Sequence, residues 1–547
     1  MRNVTRIALA VAAVALSGAA GEAARACTNV LVTKGASADG STMITYTCDG
    51  RFHARLRRSD AADHPEGAKV TLRSWGGKVR GEIPQVPHTH AVVGLMNEHQ
   101  LAISETTTTG REELRDPDGL LHYFDLMQLA LERATTAREA IEVMTSLVAA
   151  HGYQSTAESF SIADPNEVWL MEMIGRGPGR KGAVWVALRL PEGTISAYAN
   201  GMRIRELPPA DPDWARYSPD VVDFAVEKGY YDPAAGKPFD FAAAYDAPTV
   251  QSRRYTATRV WSIFRRAAPS QADGFDPAYH RGEAGATPYP LWIRPDRKLS
   301  LADVMALMRD HYEGTPYDMT AGLDAGPYGT PNRWRPIAWE VDGEKHSWER
   351  PISTPQTGFS FVSQSRSWLP DPIGGVYWYG VDDTWTTCYV PLYAGIDRLP
   401  PSFTLGALDR FSWDSAWWVF NLVANFANLK FSVMAPEIRA VQRELEGHLM
   451  ALQPVVERVA TELWATDPGL ARRYLTDYSV THAEEVVRRW RELAEALFTR
   501  HNDGYVAEEG QEPERGYPEE WLREVVRRQG DRHRLVQPEK AATDLPY

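Results

Sequence analysis

The spacing of apolar residues changes period along the chain, and each period predicts a different element. TNVLV (28–32) and TMITYT (42–47) are β-branched and apolar, and the Gly, Ser and Asp of KGASADGS (34–41) supply a turn between them. Pairing them as a hairpin sets residues 27–33 against 42–48. VWLMEMI (168–174) and AVWVALRL (183–190) read as two more strands. The loop between them contains Gly177-Pro-Gly179-Arg-Lys-Gly182, which matches G-x-G-x-x-G. A strand rather than a helix follows it, so it reads as a hairpin turn and not a dinucleotide loop.

Helical spacing appears in FDLMQLALERA (124–134) and again after Thr136, where Thr136 and Glu139 form a capping box. Ser300 and Asp303 open another helix, with Leu301, Val304, Met305 and Met308 on one face. DSAWWVFNLVANFANLKF (414–431) is strongly apolar, but Asn421, Asn425 and Asn428 form one polar stripe, which suits a buried helix and not a membrane span. From about Pro436 long amphipathic helices follow, one with Val486, Val487, Trp490, Leu493, Ala494, Leu497 and Phe498 at 3.6-residue spacing. The pattern as a whole predicts an α+β catalytic body over 27–435 and a helical C-terminal region over 436–547, with a charged, frayed tail after Gly530.

The first residues follow another rule. Arginines at 2 and 6, an apolar run over 7–21, and small residues Ala24 and Ala26 before Cys27 form a secretory leader with an A-x-A cleavage site. Residues 1–26 are therefore expected to be removed and the protein exported, to a periplasm or beyond. The apolar run is short for a retained anchor. Cleavage before a cysteine also occurs in bacterial lipoproteins, but Ala24 and Arg25 suit ordinary signal peptidase better.

Composition narrows the chemistry. The net charge is −13 and no basic stripe is interleaved with aromatics, so nucleic acid is not an expected partner. Three cysteines, Cys27, Cys48 and Cys388, are too few for a disulfide scaffold. Cys48 can pair with Cys27 as an inhibitory bridge, or with Cys388, leaving Cys27 free. His88 and His90 stand in an HTH triplet without a third ligand in the neighbouring sequence, and no H-E-x-x-H, G-x-S-x-G or P-loop occurs, so neither metal nor cofactor is expected.

A cysteine at the chain start is chemically distinctive. Its thiol needs a base, and its own α-amine, with an ordinary pKa of about 7.7–8.0, supplies one; inside a chain that nitrogen is an amide and the base is lost. Asp49, at the far end of the hairpin, lies where a carboxylate can hold the ammonium form.

CTNVLVTKGASADGSTMI (27–44), GLMNEHQLAISETT (94–107), the stretch from Glu158 to Glu206, RDHYEGTPYDMT (309–320) and ISTPQTGFSFVSQSR (352–366) together resemble the cysteine dipeptidase family that includes dipeptidase A and the secernins. That family belongs to the N-terminal-nucleophile hydrolases. The resemblance implies a four-layer αββα sandwich and an exported dipeptidase acting on small peptides through Cys27. It carries Asp49 over, but Tyr46 stands where more distant relatives have an arginine. Asn200, in YANGMRI, matches an asparagine implied to donate to the oxyanion. Arg259, in YTATRVW, matches a later active-site arginine, with Arg253 and Arg254 close by. Glu105 and Asp318 lie in family-like stretches and are candidates to receive a substrate amine. Two other functions are open at this point: an acylase for N-acyl amino acids or bile-salt-like conjugates, and a lipid-anchored binding protein without activity. The oligomeric state is not legible.

Overall fold

The computed structural model describes residues 26–74, 76–246, 249–334, 337–506 and 516–535. The predicted leader, up to Arg25, and residues 536–547 of the tail lie outside the described residues. The main strands are β1 (Ala26–Val32), β2 (Met43–Asp49), β3 (Ala102–Thr108), β4 (Ala157–Ala163), β5 (Val168–Gly175), β6 (Ala183–Arg189), β7 (Ile195–Tyr198), β8 (Thr357–Gln364), β9 (Val376–Val381) and β10 (Val390–Tyr393). The principal helices are α1 (Tyr123–Arg133), α2 (Ala137–His151), α3 (Val250–Ala267), α4 (Leu301–Leu307), α5 (Ala416–Ala427), α6 (Phe431–Trp464) and α7 (Pro468–Arg500).

The predicted first hairpin forms, with Cys27 opposite Cys48 and Val32 opposite Met43. It lies at the centre of a seven-stranded sheet ordered Trp292–Ile293, β7, β1, β2, β8, β9, β10. The second sheet has eight strands: Ala215–Tyr217, β6, β5, β4, β3 and three short ones. β5 and β6 pair as a hairpin with Gly175 opposite Ala183, so the Gly-rich loop is the turn its flanks predict.

The two sheets meet face to face, β1 and β2 lying over β3 and β2 also touching β4. That is why β1, β2, β4 and β5 are buried on both sides: one face meets the other sheet and the second meets helices or loops. Helices α1 and α2 cover the second sheet, and α3, α5, α6 and α7 touch β7, β9 and β10 of the first. The Thr136–Glu139 and Ser300–Asp303 capping boxes both start helices, α2 and α4.

The asparagine stripe of α5 is used. Asn421 Nδ2 donates to Asp382 Oδ1 at 2.8 Å, and Asn428 Oδ1 accepts from Asn332 Nδ2 at 2.8 Å. Among the described residues no helix is long and apolar enough to cross a membrane. The C-terminal helices share the main core, with Leu445, Leu449 and Trp490 in the buried cluster that contains Val30 and Tyr46. Helix α6 passes through Pro436 without interruption. Phe498 departs from its predicted stripe: it is 63% exposed and packs on Phe426 at the surface. All three cysteines are free and buried, so neither anticipated disulfide is present.

Candidate active site

Strand alternation divides the residues around Cys27 between two faces. Cys27, Asn29, Tyr46 and Cys48 share the face toward the second sheet, where Asn29 Nδ2 donates to Glu105 O at 2.9 Å. Thr28, Thr47 and Asp49 share the opposite face. Cys27 is 0% exposed, and its Sγ is 3.8 Å from Tyr46 Oη and 4.0 Å from Glu105 Oε1. Tyr46 Oη in turn donates to Glu105 Oε1. Burial, the contact with Cys48 and the nearby Glu105 carboxylate push the Cys27 thiol well up, so with Ala26 attached it is held protonated.

The backbone of Cys27 is gripped from the other side. Its N–H donates to Asn200 Oδ1 at 3.1 Å. Arg259, on α3, donates from Nη1 to Cys27 O at 2.8 Å and to Thr28 Oγ1 at 2.9 Å, and from Nη2 to Asn200 Oδ1 at 2.8 Å. Asn200 Nδ2 donates to Thr107 O at 2.7 Å. Two donors on one side of the amide and a carbonyl on the other permit only this orientation of the Asn200 side chain. Burial and the neighbouring Arg350 guanidinium push Arg259 down to about 9, which leaves it charged at neutral pH.

Asn200 sits at φ 53°, a left-handed conformation that asparagine tolerates better than most residues. Two buried carboxylates hold the loop that carries it. Glu172 accepts from Arg203 N at 2.6 Å and Ile204 N at 3.1 Å, and Asp246 accepts from Met202 N at 2.8 Å and Gly110 N at 2.9 Å. Burial pushes Glu172 up to about 8 despite those donors.

Asp49 closes the arrangement. Its backbone lies opposite Ala26 at the end of the hairpin. Its carboxylate accepts from Arg350 Nη2 and from Thr357 Oγ1, both at 2.6 Å. Cys27, Asn200, Arg259 and Glu105 thus converge as a hydrogen-bonded group, and Asp49 flanks it through the strand pairing. Asp318 does not join them. Its carboxylate accepts from Gly314 N at 3.0 Å and Thr320 N at 2.8 Å, stabilising its own turn. Of the neighbouring arginines, Arg254 pairs with Glu349 at 2.8 Å and Arg253 covers Tyr279, so neither replaces Arg259. Sequence reasoning missed Arg350 and the inward position of Tyr46. The signal for Tyr46 was its place two residues before Cys48 on one strand.

Asp318 lies in the wall of a cleft of about 420 Å3. Its charged lining is mixed: Arg254, Arg281 and Arg333 face Asp318, Asp324 and Glu349. Its wall includes Arg254, five residues before Arg259 on α3, and Glu349, the chain neighbour of Arg350.

Residues 26–444 match the family model of peptidase family C69. The chain belongs to peptidase family C69. The match begins beside Cys27 and spans every residue of the converged group. Curated relatives agree. A "Probable dipeptidase" of Salmonella dublin is 28% identical over 411 residues, 70% of this chain and 84% of that protein. A "Probable dipeptidase" of Latilactobacillus sakei is 25% identical over 424 residues, 73% of this chain and 80% of its own length. A "Probable dipeptidase A" of Streptococcus pyogenes serotype M3 is 26% identical over 448 residues, 78% and 88% of the two chains. This C69 chain therefore resembles its relatives along most of their length.

Proposed function

We propose that this C69 peptidase is an exported cysteine dipeptidase whose nucleophile is Cys27, exposed by cleavage after Ala26. The observation that carries the reading is the seating of the Cys27 nitrogen on Asn200 Oδ1 at 3.1 Å, at the start of a central strand. In the cleaved chain that nitrogen is an α-amine. It takes the thiol proton, the thiolate attacks the scissile carbonyl, and the amine returns the proton to the leaving amine; water then hydrolyses the thioester. Asn200 Oδ1 and the Cys27 carbonyl, both bound by Arg259, fix the amine against the thiol. The oxyanion role implied for Asn200 requires its Nδ2 to leave Thr107 O, so amine orientation is the role this geometry favours.

Three further observations support the reading. The relatives are named dipeptidases. The cleft carries both charge signs, the complement of a zwitterionic dipeptide, with Asp318 in its wall for the substrate amine. Two facing sheets flanked by helices agree with a four-layer N-terminal-nucleophile sandwich over 27–435, to which the helices of 436–547 are added.

The test is an assay of the mature protein on free and N-acetylated dipeptides, beside Cys27→Ala. Free dipeptides are expected to be hydrolysed and their N-acetylated forms spared, while Cys27→Ala loses at least about 10³-fold in kcat with an unchanged circular dichroism spectrum. Preference for the acylated substrates assigns an acylase instead, and an active Cys27→Ala enzyme removes the mechanism.

A further inference from the structure

The HTH triplet acquires in space the ligands it lacks in sequence. The chain turns back between Val92–Val93 and Met96–Asn97, with Gly94 at φ 59°, and this returns Glu98 and His99 to the side of His90. The turn is closed twice: Glu98 N donates to Ala91 O at 2.9 Å, and Ala91 N donates to Glu98 Oε1 at 2.9 Å. One ligand atom each from His90, Glu98 and His99 then lies within 4.8 Å of the other two, on half-buried side chains that water can reach. The His90 and His99 rings are 4.5 Å apart at 82°, and His88 adds a third imidazole 5.5 Å from His90.

The surroundings are those of a ligand set. His99 Nδ1 contacts Asp371 Oδ2 at 3.3 Å, which leaves Nε2 as the nitrogen not engaged by that carboxylate, and Gln100 Nε2 steadies the carboxylate at 3.0 Å. His88 Nδ1 contacts Asp63 Oδ1 at 2.7 Å in the same manner. A carboxylate on the far nitrogen is the usual device for fixing the tautomer and orientation of a metal-binding histidine. Neither ring nitrogen of His90, between them, takes a hydrogen bond from the described residues. Glu98 Oε2 meets Arg472 of α7 at 3.0 Å, and each of its oxygens retains a lone pair for a cation.

We propose that His90, Glu98 and His99 form a site for a divalent transition metal of the zinc class, with water or His88 as the fourth ligand and Asp371 as the orienting carboxylate. Two imidazoles and one carboxylate suit zinc, nickel or copper better than calcium or magnesium. The site lies on the turn that leads into β3 and is independent of the thiol chemistry at Cys27. Its role is to tie that turn to the C-terminal helices, through Glu98 and Arg472 to α7 and through Asp371 to the segment before β9.

The experiment uses the whole chain carrying Cys27→Ala, so that metal bound by the nucleophilic thiol is not counted. After dialysis against EDTA, Zn²⁺ is titrated calorimetrically and Co²⁺ is followed by its visible spectrum. The expected result is one saturable equivalent of micromolar affinity or tighter, Co²⁺ bands of four- or five-coordinate nitrogen and oxygen ligation, and a higher Tm with metal. His90→Ala with His99→Ala should remove the saturable equivalent and the Tm shift, and Asp371→Asn should weaken binding about 10- to 100-fold. No saturable binding, or equal binding by the histidine double variant, overturns the proposal. A cobalt spectrum dominated by thiolate charge transfer does so too, because it assigns the metal to Cys48 or Cys388.

Discussion

Arg259 is fully buried and donates to Cys27 O, Thr28 Oγ1, Asn200 Oδ1 and Tyr255 O. Lysine keeps the charge but presents a single nitrogen, so it cannot reach across this set. Arg259→Lys is therefore expected to forfeit at least one charged hydrogen bond, about 1.5–3 kcal/mol, or about 10- to 150-fold in rate. Because Arg259 acts through Cys27 and Asn200, the loss should fall on kcat, with KM little changed and the pH profile of kcat/KM displaced. A rise in KM alone would place Arg259 in substrate binding instead. At this scale the sequence was legible where a residue matches a family stretch: Cys27, Asn200, Arg259 and Glu105 all meet. Arg350 was not, since it reaches Asp49 from 301 positions away and no local pattern marks that pairing. The arginine that the resemblance to more distant relatives implies at position 46 is absent, which pointed to a gap in support near Cys27. Tyr46 occupies that position and faces the thiol, while Arg350 supplies the charge on the other face.

The elements were easier to read than their neighbours. Period-two runs predicted the β1–β2 and β5–β6 hairpins because a short turn fixes their register locally. The order of the sheets was not legible, since β2 pairs with β8 through contacts such as Tyr46 opposite Phe361 that no periodicity encodes. The joint between β9 and α5 shows what such packing costs. Asp382, directly after β9 at φ 66°, accepts from Asn421 on α5, while its Oδ2 is buried without a partner among the described residues. Burial pushes its carboxyl up to about 8, as it does for Glu172. Between roughly pH 4 and 8 the folded chain then holds protons at these carboxyls that the unfolded chain has released, so their contribution to stability is complete at the acid end and is lost as pH rises through 8. Asp382→Asn keeps the shape, the acceptor for Asn421 and a tolerated positive φ, and removes the titration. Its Tm should fall less steeply than the parent's between pH 5 and 9; an unchanged slope would show that Asp382 is ionised in the fold.

For the whole molecule, the mixture of strands and helices and the long helices α6 and α7 were legible from period alone, because strands and helices bury apolar residues at different spacings. That α6 and α7 bury Leu445, Leu449 and Trp490 in the same core as β1 was not, because an apolar stripe does not name the surface it will cover. The largest change the molecule is proposed to undergo is the loss of residues 1–26. With Ala26 in place, β1 begins one residue early, opposite Asp49, and Cys27 has neither an amine nor an exposed sulfur. Under the proposed activation, removing the leader would turn the Cys27 nitrogen into an amine and so supply the base. N-terminal sequencing of the protein fraction that hydrolyses dipeptides tests this most directly. Active molecules are expected to begin Cys-Thr-Asn, with an unmodified first residue. Active molecules that retain Ala26, or that begin at any other residue, would contradict it.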